Sequence, residues 1–319
     1  MGLKHMHEPI LFQGYKKKNK YFEGWYYKLV SKDEKYKVAF IPGISLAKEK
    51  SHSFIQVFIS KKEPEMSLKT DYFRFEKQAF QFEDTPFKVS IADNTFEAEG
   101  LSINLNSPYL KVKGQIQIGG LSPIDRGIWS PNIMGPFGYL NFMECYHGVV
   151  SMTSPLQGEL EIDGQMISFD GGKGYIEKDW GKSFPRAYVW LQTNHFKDPK
   201  TSLMFSYADI PFLGFYFKGL ICNLLFNNQE YRFATYNFSK VLTEEITPKK
   251  ATYVLKKGKY TLYIEAIQKD QIDLASPING AMDHTIKEGL SGEVRIKLYD
   301  KKTLLCEDIG IEAGIEIMK

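Results

Sequence analysis

From Tyr21 onward the chain alternates apolar and polar residues with a period of two, in short runs broken by Gly, Pro, Asn and Asp, and the alternation seldom lengthens into helical spacing. A period of two places successive side chains on opposite faces, which is the pattern of antiparallel strands with one face toward a core. Residues 21–30 and 35–44 read as paired strands across the turn Ser31-Lys32-Asp33-Glu34. Further strands are predicted at 53–59, 71–75, 87–92, 95–98, 101–105 and 109–118. The 23 Phe and 19 Tyr residues, with frequent Val, Ile and Thr, reinforce strand over helix. A chain of 319 residues, 43% hydrophobic, can bury a large core and has the length of two domains. An all-β protein is expected.

A faint repeat supports two units. QGELEIDGQMISFD from Gln157 echoes SGEVRIKLYDKKTLLCED from Ser291, with His147 upstream of the first and His284 upstream of the second. Trp25 and Trp190 each open a strand followed by another apolar strand, 38–41 and 203–207. Two similar β units dividing near Gly171 account for this, residues 1–170 and 171–319, each barrel-like; an up-and-down barrel of roughly eight strands can hold one small ligand, as lipocalins do. Trp25 and Trp190 would then occupy equivalent positions, at least one facing a cavity lined by Tyr and Phe. Residues 119–143 depart from the pattern, carrying Trp129, Pro131, Met134, Pro136, Phe137, Tyr139 and Phe142 without periodicity. Their apolar content argues against disorder, leaving a lid or plug over a cavity mouth, or a packing loop between domains.

Several classes of chemistry lose support. The net charge of +3 is spread along the chain and Lys16 to Lys18 read as a solvated turn, so nucleic acid is not an expected partner. Cys145, Cys222 and Cys306 are odd in number and lack metal or redox spacing, which suits reduced, packed thiols and a cytoplasmic setting. The opening MGLKHMHEPIL contains no apolar run of signal-peptide length. The six histidines are scattered and no metal site is expected. There is no Gly-x-Ser-x-Gly, His-Glu-x-x-His or Cys-x-x-Cys motif, and no glycine-rich strand-to-helix turn. Gly181-Lys182-Ser183 resembles the end of a P-loop, but Ile176 stands where its first glycine belongs. Residues 210–226, IPFLGFYFKGLICNLLF, are too short for a spanning helix of about 20 residues. Pro211, Gly214 and Lys218 also interrupt them, so they read as buried strands with a turn. An apolar loop would be the only contact with a membrane surface.

Chemistry concentrates in residues 171–196, GGKGYIEKDWGKSFPRAYVWLQTNHF. As a strand up to Trp180, this segment puts Tyr175, Glu177 and Asp179 on one face and Ile176, Lys178 and Trp180 on the other. Same-face neighbours lie about 7 Å apart, near enough for one carboxylate to raise the pKa of the other where solvent is scarce. After a turn, Tyr188, Trp190, Gln192 and Asn194 share a face, a mixture of aromatic and amide groups that suits a ligand cavity. Glu23, Trp25 and Tyr27 form a similar face on the strand of residues 21–30. The same residues also fit solvated strand carboxylates beside tryptophans of the core. The 171–196 stretch is expected to line the junction of the two halves.

FEGWYYK at Phe22, MGPFGYLNFMECYHGVVSM from Met134, GGKGYIEKDWGKSFP from Gly171 and WLQTNHF from Trp190 together resemble the tocopherol cyclase family, including its bacterial members. That family is similar to a wider group of tandem lipocalin-like proteins that includes carotenoid hydratases and cyclising enzymes of polyketide metabolism. The resemblance implies two calycin-like barrels and a cyclase or isomerase needing no cofactor, since plant and cyanobacterial members close a chromanol ring on a prenylated quinol. Closing such a ring needs a proton for an alkene, an aromatic wall for the tertiary cation, and a phenol oxygen held close enough to attack. Asp179 beside Glu177 is the expected acid, buried and raised in pKa, with Glu23 in reserve. Trp25, Trp180 and Trp190 would steady the cation by about 0.5–2 kcal/mol per ring. His147 or Tyr146 would hold the phenol and accept its proton, and Asn194 would contact substrate. The expected partner is a hydrophobic small molecule. A hydratase and a non-catalytic binding protein for an apolar ligand are the alternatives.

Overall fold

The structure, a computed structural model, describes residues 3–62, 66–212 and 214–319. Among the described residues the only helical elements are the five-residue helix Leu3–His7 and isolated 3-10 turns, and the remaining regular structure is strand. The first sheet comprises β1 (Tyr21–Val30), β2 (Tyr36–Leu46), β3 (His52–Lys61), β4 (Ser67–Glu76), β5 (Phe80–Asp84), β6 (Phe87–Ile91), β7 (Asn94–Glu97), β8 (Gly100–Asn106), β9 (Lys111–Ile118), β10 (Cys145–Ile162), β11 (Gln165–Ser168) and β12 (Lys173–Gly181). Its order is β4-β3-β2-β1-β12-β10-β9-β8-β7-β6-β5, with β11 paired to β10. The alternation is plain on β6, where Phe87, Val89 and Ile91 are buried between partly exposed Lys88 and Ser90. β1 to β3 are instead buried on both faces, with polar side chains such as Glu23, Lys28, Lys37 and Gln56 buried among the apolar ones.

The sheet curls until its middle packs against its end. Trp25 on β1 lies 6.2 Å from Phe80 on β5 and 6.0 Å from Phe87 on β6, and Tyr27 lies 5.5 Å from Phe96 on β7. Residues 8–13 lie against this interior, with Leu11 and Phe12 buried and the Phe12 ring tilted against Phe80 at 5.1 Å. Each such aromatic withdrawn from water contributes roughly 1.5–3 kcal/mol.

The second sheet comprises β13 (Tyr188–Thr193), β14 (Ser202–Phe212), β15 (Phe215–Phe226), β16 (Gln229–Ala234), β17 (Lys240–Thr247), β18 (Lys250–Lys257), β19 (Tyr260–Ile267), β20 (Ile272–Ile278), β21 (Ala281–Asp300) and β22 (Thr303–Met318). Its order, β16-β15-β14-β13-β22-β21-β19-β18-β17 with β20 on β21, reproduces that of the first sheet strand for strand up to β7. The echo between Gln157 and Ser291 falls on the equivalent strands β10 and β21. This sheet also curls on itself, with Phe205 on β14 packed 4.7 Å from Tyr253 on β18 around a core that includes Val189, Leu191 and Ile264.

The compact units divide between Phe184 and Pro185, not at residue 170/171 as the sequence suggested. Gly171 and Gly172 make the turn that leads into β12 of the first sheet. A Cβ on Gly172 would lie 2.2 Å from Val30 O, so a close backbone approach inside the sheet requires this glycine. The tip of the β20–β21 hairpin, Leu274–Thr285, also belongs to the first unit, and Gly135–Phe137 to the second. There Ser45 Oγ donates to Gly280 O at 2.7 Å, and Ala275 N to Gln56 Oε1 at 2.8 Å. Gly280 has φ +82°, and its missing side chain admits Tyr21 N within 2.2 Å of where a Cβ would stand. The stretch before β10 is irregular, as expected. Ile124, Ile133 and Met143 anchor it while Ile128 and Trp129 stand exposed. All three cysteines are free thiols.

Candidate active site

The register of β1, β12 and β10 decides which side chains can meet. Asp179 lies opposite Gly24 and His147, and Glu177 opposite Tyr26 and Val149. Trp180 lies opposite Glu23 and Tyr146, and Lys178 opposite Trp25 and Gly148. Directly opposed residues share a face. His147, Glu177 and Asp179 therefore occupy one face, and Glu23, Trp25, Tyr146, Lys178 and Trp180 the other, which is the face turned to the aromatic interior. The expectation that Trp25 and Trp180 wall a cation formed at Asp179 is corrected: a sheet separates them from it.

On the first face His147 Nδ1 lies 2.8 Å from Asp179 Oδ1, and its Nε2 lies 3.2 Å from Glu177 Oε2, close enough to pair but off the line of a good hydrogen bond. The Tyr175 hydroxyl donates to Glu177 Oε2 at 2.5 Å. Burial alone would lower the pKa of His147, but Glu177 and Asp179 outweigh it and push the ring up to about 10. Placed between Asp179 and Glu177, the ring favours its protonated form. His147 and Glu177 are buried, whereas the Asp179 side chain keeps 25% of its surface. The expectation of a buried Asp179 is thus corrected. Asp179 is the half-open end of a buried triad, and His147 is its partner rather than a separate phenol holder. Facing ligand atoms of the three residues lie within 4.8 Å of one another, a spacing a metal ion could use. Both ring nitrogens already point at carboxylates, however, and a metal would have to displace a tightly held proton.

The interior face holds a second cluster. Glu23 is fully buried with Oε1 2.5 Å from Lys178 Nζ, and it accepts Gln13 N at 2.8 and 3.1 Å and the Tyr21 hydroxyl. Lys178 Nζ sits 4.8 Å and 4.9 Å from the ring centroids of Trp25 and Trp180 and donates to Leu11 O. Burial raises the pKa of Glu23 against the pull of Lys178, and burial lowers Lys178 to about 8 against the pull of Glu23. Trp25 Nε1 donates to Ile10 O at 2.7 Å, and Tyr146 stacks on Trp180 at 5.4 Å with its hydroxyl donating to Leu140 O. These tryptophans face a lysine cation of the chain itself. Lys178, Tyr21 and Tyr175 were not assigned a site role from sequence, although Tyr175 and Lys178 were placed on their faces of the strand. The signal for the tyrosines was present: Tyr21-x-Glu23 and Tyr175-x-Glu177 place a phenol on the same strand face as each carboxylate.

Trp190 and Asn194 belong to the second unit and are buried there with Gln192. Val189 and Leu191 enter that unit's core, so Trp190 and Gln192 lie on the opposite face of β13. Trp25 and Trp190 thus sit on equivalent strands, but Trp25 points into its core and Trp190 away from its own. The two tryptophans therefore face opposite ways relative to their cores, contrary to the expected equivalence.

Two curled antiparallel sheets of matching strand order define a tandem lipocalin-like barrel protein. The crystal structure of CghA aligns with TM-score 0.58 and 7% identity over 93% of this chain and 88% of that one. Kievitone hydratase from Nectria haematococca aligns with TM-score 0.52 and 10% identity over the same shares. An AttH protein from Nitrosomonas europaea aligns with TM-score 0.50 and 14% identity over 93% and 92%. At such identities the likeness is one of fold. The sequence profile of the tocopherol cyclase-like family matches residues 131–318, and the chain belongs to that family. A chloroplastic tocopherol cyclase of Zea mays is 41% identical over 51 residues, and its counterpart from Oryza sativa subsp. japonica 36% over 61. Those stretches cover 16% and 19% of this chain and only 11% and 12% of the relatives.

Proposed function

We propose that the protein is a cyclase or isomerase needing no cofactor, which protonates an alkene of a prenylated aromatic or other isoprenoid and closes a ring. The observation that carries this reading is the half-open Asp179 carboxyl held at 2.8 Å by the buried His147 imidazolium. The His147–Asp179 pair holds one transferable proton, which passes through Asp179 to the alkene, forming a C–H bond and a tertiary cation and leaving a neutral His147 beside the Asp179 carboxylate. The phenol oxygen then attacks the cation to form a C–O bond, and its proton returns to the pair, so protons balance. Glu177, fixed by Tyr175, keeps His147 charged and oriented. Tyr146, on the interior face, drops out as proton acceptor. Family membership supports the reaction class.

A non-catalytic binding protein is the second reading, favoured by the ion pairing of Glu23 with Lys178 in an interior packed with aromatics. The hydratase reading uses the same Asp179 chemistry with water as the group that captures the cation. Substrates of this class reside in lipid. No helix of the described residues is long and apolar enough to cross a membrane, while Phe215 and Tyr216 at the start of β15 are half-exposed, which supports contact with a lipid surface there. Incubation with a prenylated hydroquinone, followed by mass spectrometry, separates the readings. A cyclase returns an isomer of unchanged mass that has lost a phenolic O–H. A product heavier by one water indicates a hydratase, and unchanged ligand recovered bound indicates a carrier.

A further inference from the structure

Packing does not explain one glycine on the Asp179 face. Gly24 lies within β1, directly opposite Asp179 on β12 and Gly43 on β2. A glycine inside a strand weakens it, and such a position marks a bulge, a bend, or a place where another backbone or a ligand comes close. The register of β1 on β12 runs unbroken through Gly24, and its backbone is not left-handed. Nor does a neighbouring segment crowd it: a Cβ there would meet Ile41 Cγ2 at 3.6 Å, Pro42 O at 3.8 Å and Phe54 Cζ at 4.0 Å, all ordinary contacts. Gly43 differs, since its Cβ would stand 2.5 Å from Phe54 Cζ and 2.6 Å from Glu23 O. Close packing requires Gly43 and leaves Gly24 unaccounted for.

The approach of a ligand remains, and exposure agrees with it. Along β1 only Gly24 is partly exposed, and its chain neighbours Glu23 and Trp25, on the interior face, are fully buried. The opening at Gly24 is therefore on the Asp179 face. Asp179 on β12 and Ile41 on β2, which flank it there, are partly exposed as well. Directly opposed side chains have Cβ atoms about 4.5–5.5 Å apart, so the side chain that Gly24 lacks leaves a hollow beside the Asp179 carboxyl. The methyl group of Ile41 gives this hollow an apolar wall. A trisubstituted alkene matches it: the carbon that takes the proton must lie against Asp179, and the two methyl groups on the next carbon then need apolar room alongside.

We infer that Gly24 determines substrate specificity, its hollow seating the two terminal methyl groups of a prenyl alkene against Ile41 while Asp179 faces the adjacent carbon. The inference rests on the reading of Asp179 as the acid. The test is calorimetric titration of the full chain, of Gly24→Ala and of Gly24→Val with 2-prenylhydroquinone and with 2-allylhydroquinone, which lacks the two methyl groups, each mixture also being analysed for product. The natural chain binds the prenyl compound more tightly. Gly24→Val fills the hollow and loosens the prenyl compound about tenfold or more and the allyl compound far less, so the preference disappears. Gly24→Ala gives a smaller loss in the same direction and carries the comparison if Gly24→Val does not fold, since its Cβ fits. A glycine that served only the strand would leave the ratio of the two affinities unchanged. Equal affinity of the natural chain for both compounds, no binding of either, or equal loosening of both by the substitutions overturns the inference. The expected pattern of binding with no ring-closed product upholds the hollow and overturns the cyclase reading instead.

Discussion

Three strands, β1, β12 and β10, carry two acid–base clusters back to back, and the two differ chiefly in access. On the interior face Glu23 and Lys178 are fully buried, and their remaining bonds go to residues 11, 13 and 21 of the same chain. On the other face His147 and Glu177 are buried but Asp179 keeps a quarter of its surface. A closed ion pair with every neighbour inside the protein is a clamp, here for the segment that packs over the barrel interior. An ion pair with one open end can trade a proton. Residue types alone, carboxylates beside tryptophans, pointed to the interior face. Geometry favours the other.

The largest expected effect breaks the clamp. Lys178→Met strands a buried carboxylate and should lower unfolding free energy by about 3–5 kcal/mol, whereas Glu23→Gln combined with Lys178→Met should recover most of that loss. Denaturant melts of the three variants check it. If the single and double variants are equally unstable, the pair is not coupled as described.

The next effect is a pH dependence from the opposite face. The His147 pKa is raised from 6.5 to about 10, where Glu177 and Asp179 overcome the lowering by burial. A base whose folded pKa is raised stabilises the fold below its unfolded pKa. That contribution is therefore complete below about pH 6.5, falls as pH rises, and is gone above about 10. His147→Gln should flatten the fall in unfolding midpoint across this window, and nitrogen NMR of the ring should find it protonated at neutral pH.

The smallest effects compare the two Tyr-x-Glu pairs. Tyr21→Phe and Tyr175→Phe each remove one hydrogen bond to a buried carboxylate and should cost about 1 kcal/mol. Only Tyr175→Phe should move the pH profile of turnover, because only Glu177 touches His147. A shift from Tyr21→Phe of equal size would erase the distinction between the faces.

Much of the fold was legible because alternation is local. The predicted strand at 21–30 coincides with β1, and the expected sharing of a face by Glu177 and Asp179 holds. The repeat at Gln157 and Ser291 marked equivalent strands. Register between β1 and β12 was not legible, since their pairing joins distant segments and no spacing encodes which faces coincide. Trp25 was therefore assigned to the wrong cluster. Lys178 was passed over because a fully buried lysine is rare and becomes reasonable only once its partner Glu23 is in place. The division near Gly171 was inferred from the repeat, which marks equivalent strands but not where one unit ends; the compact units divide between Phe184 and Pro185, and Gly172 serves a close approach to Val30 inside the first sheet.

The central claim, that Asp179 and not Glu23 is the reactive carboxyl, rests most directly on turnover of a prenylated hydroquinone by Asp179→Asn and Glu23→Gln at matched folded fractions. Asp179→Asn keeps size while removing the transferable proton. Its rate should fall by about 10²- to 10⁴-fold with ligand affinity little changed, and Glu23→Gln should alter stability but not the rate per folded molecule. Full activity in Asp179→Asn, or a collapse of rate in folded Glu23→Gln, would contradict the account.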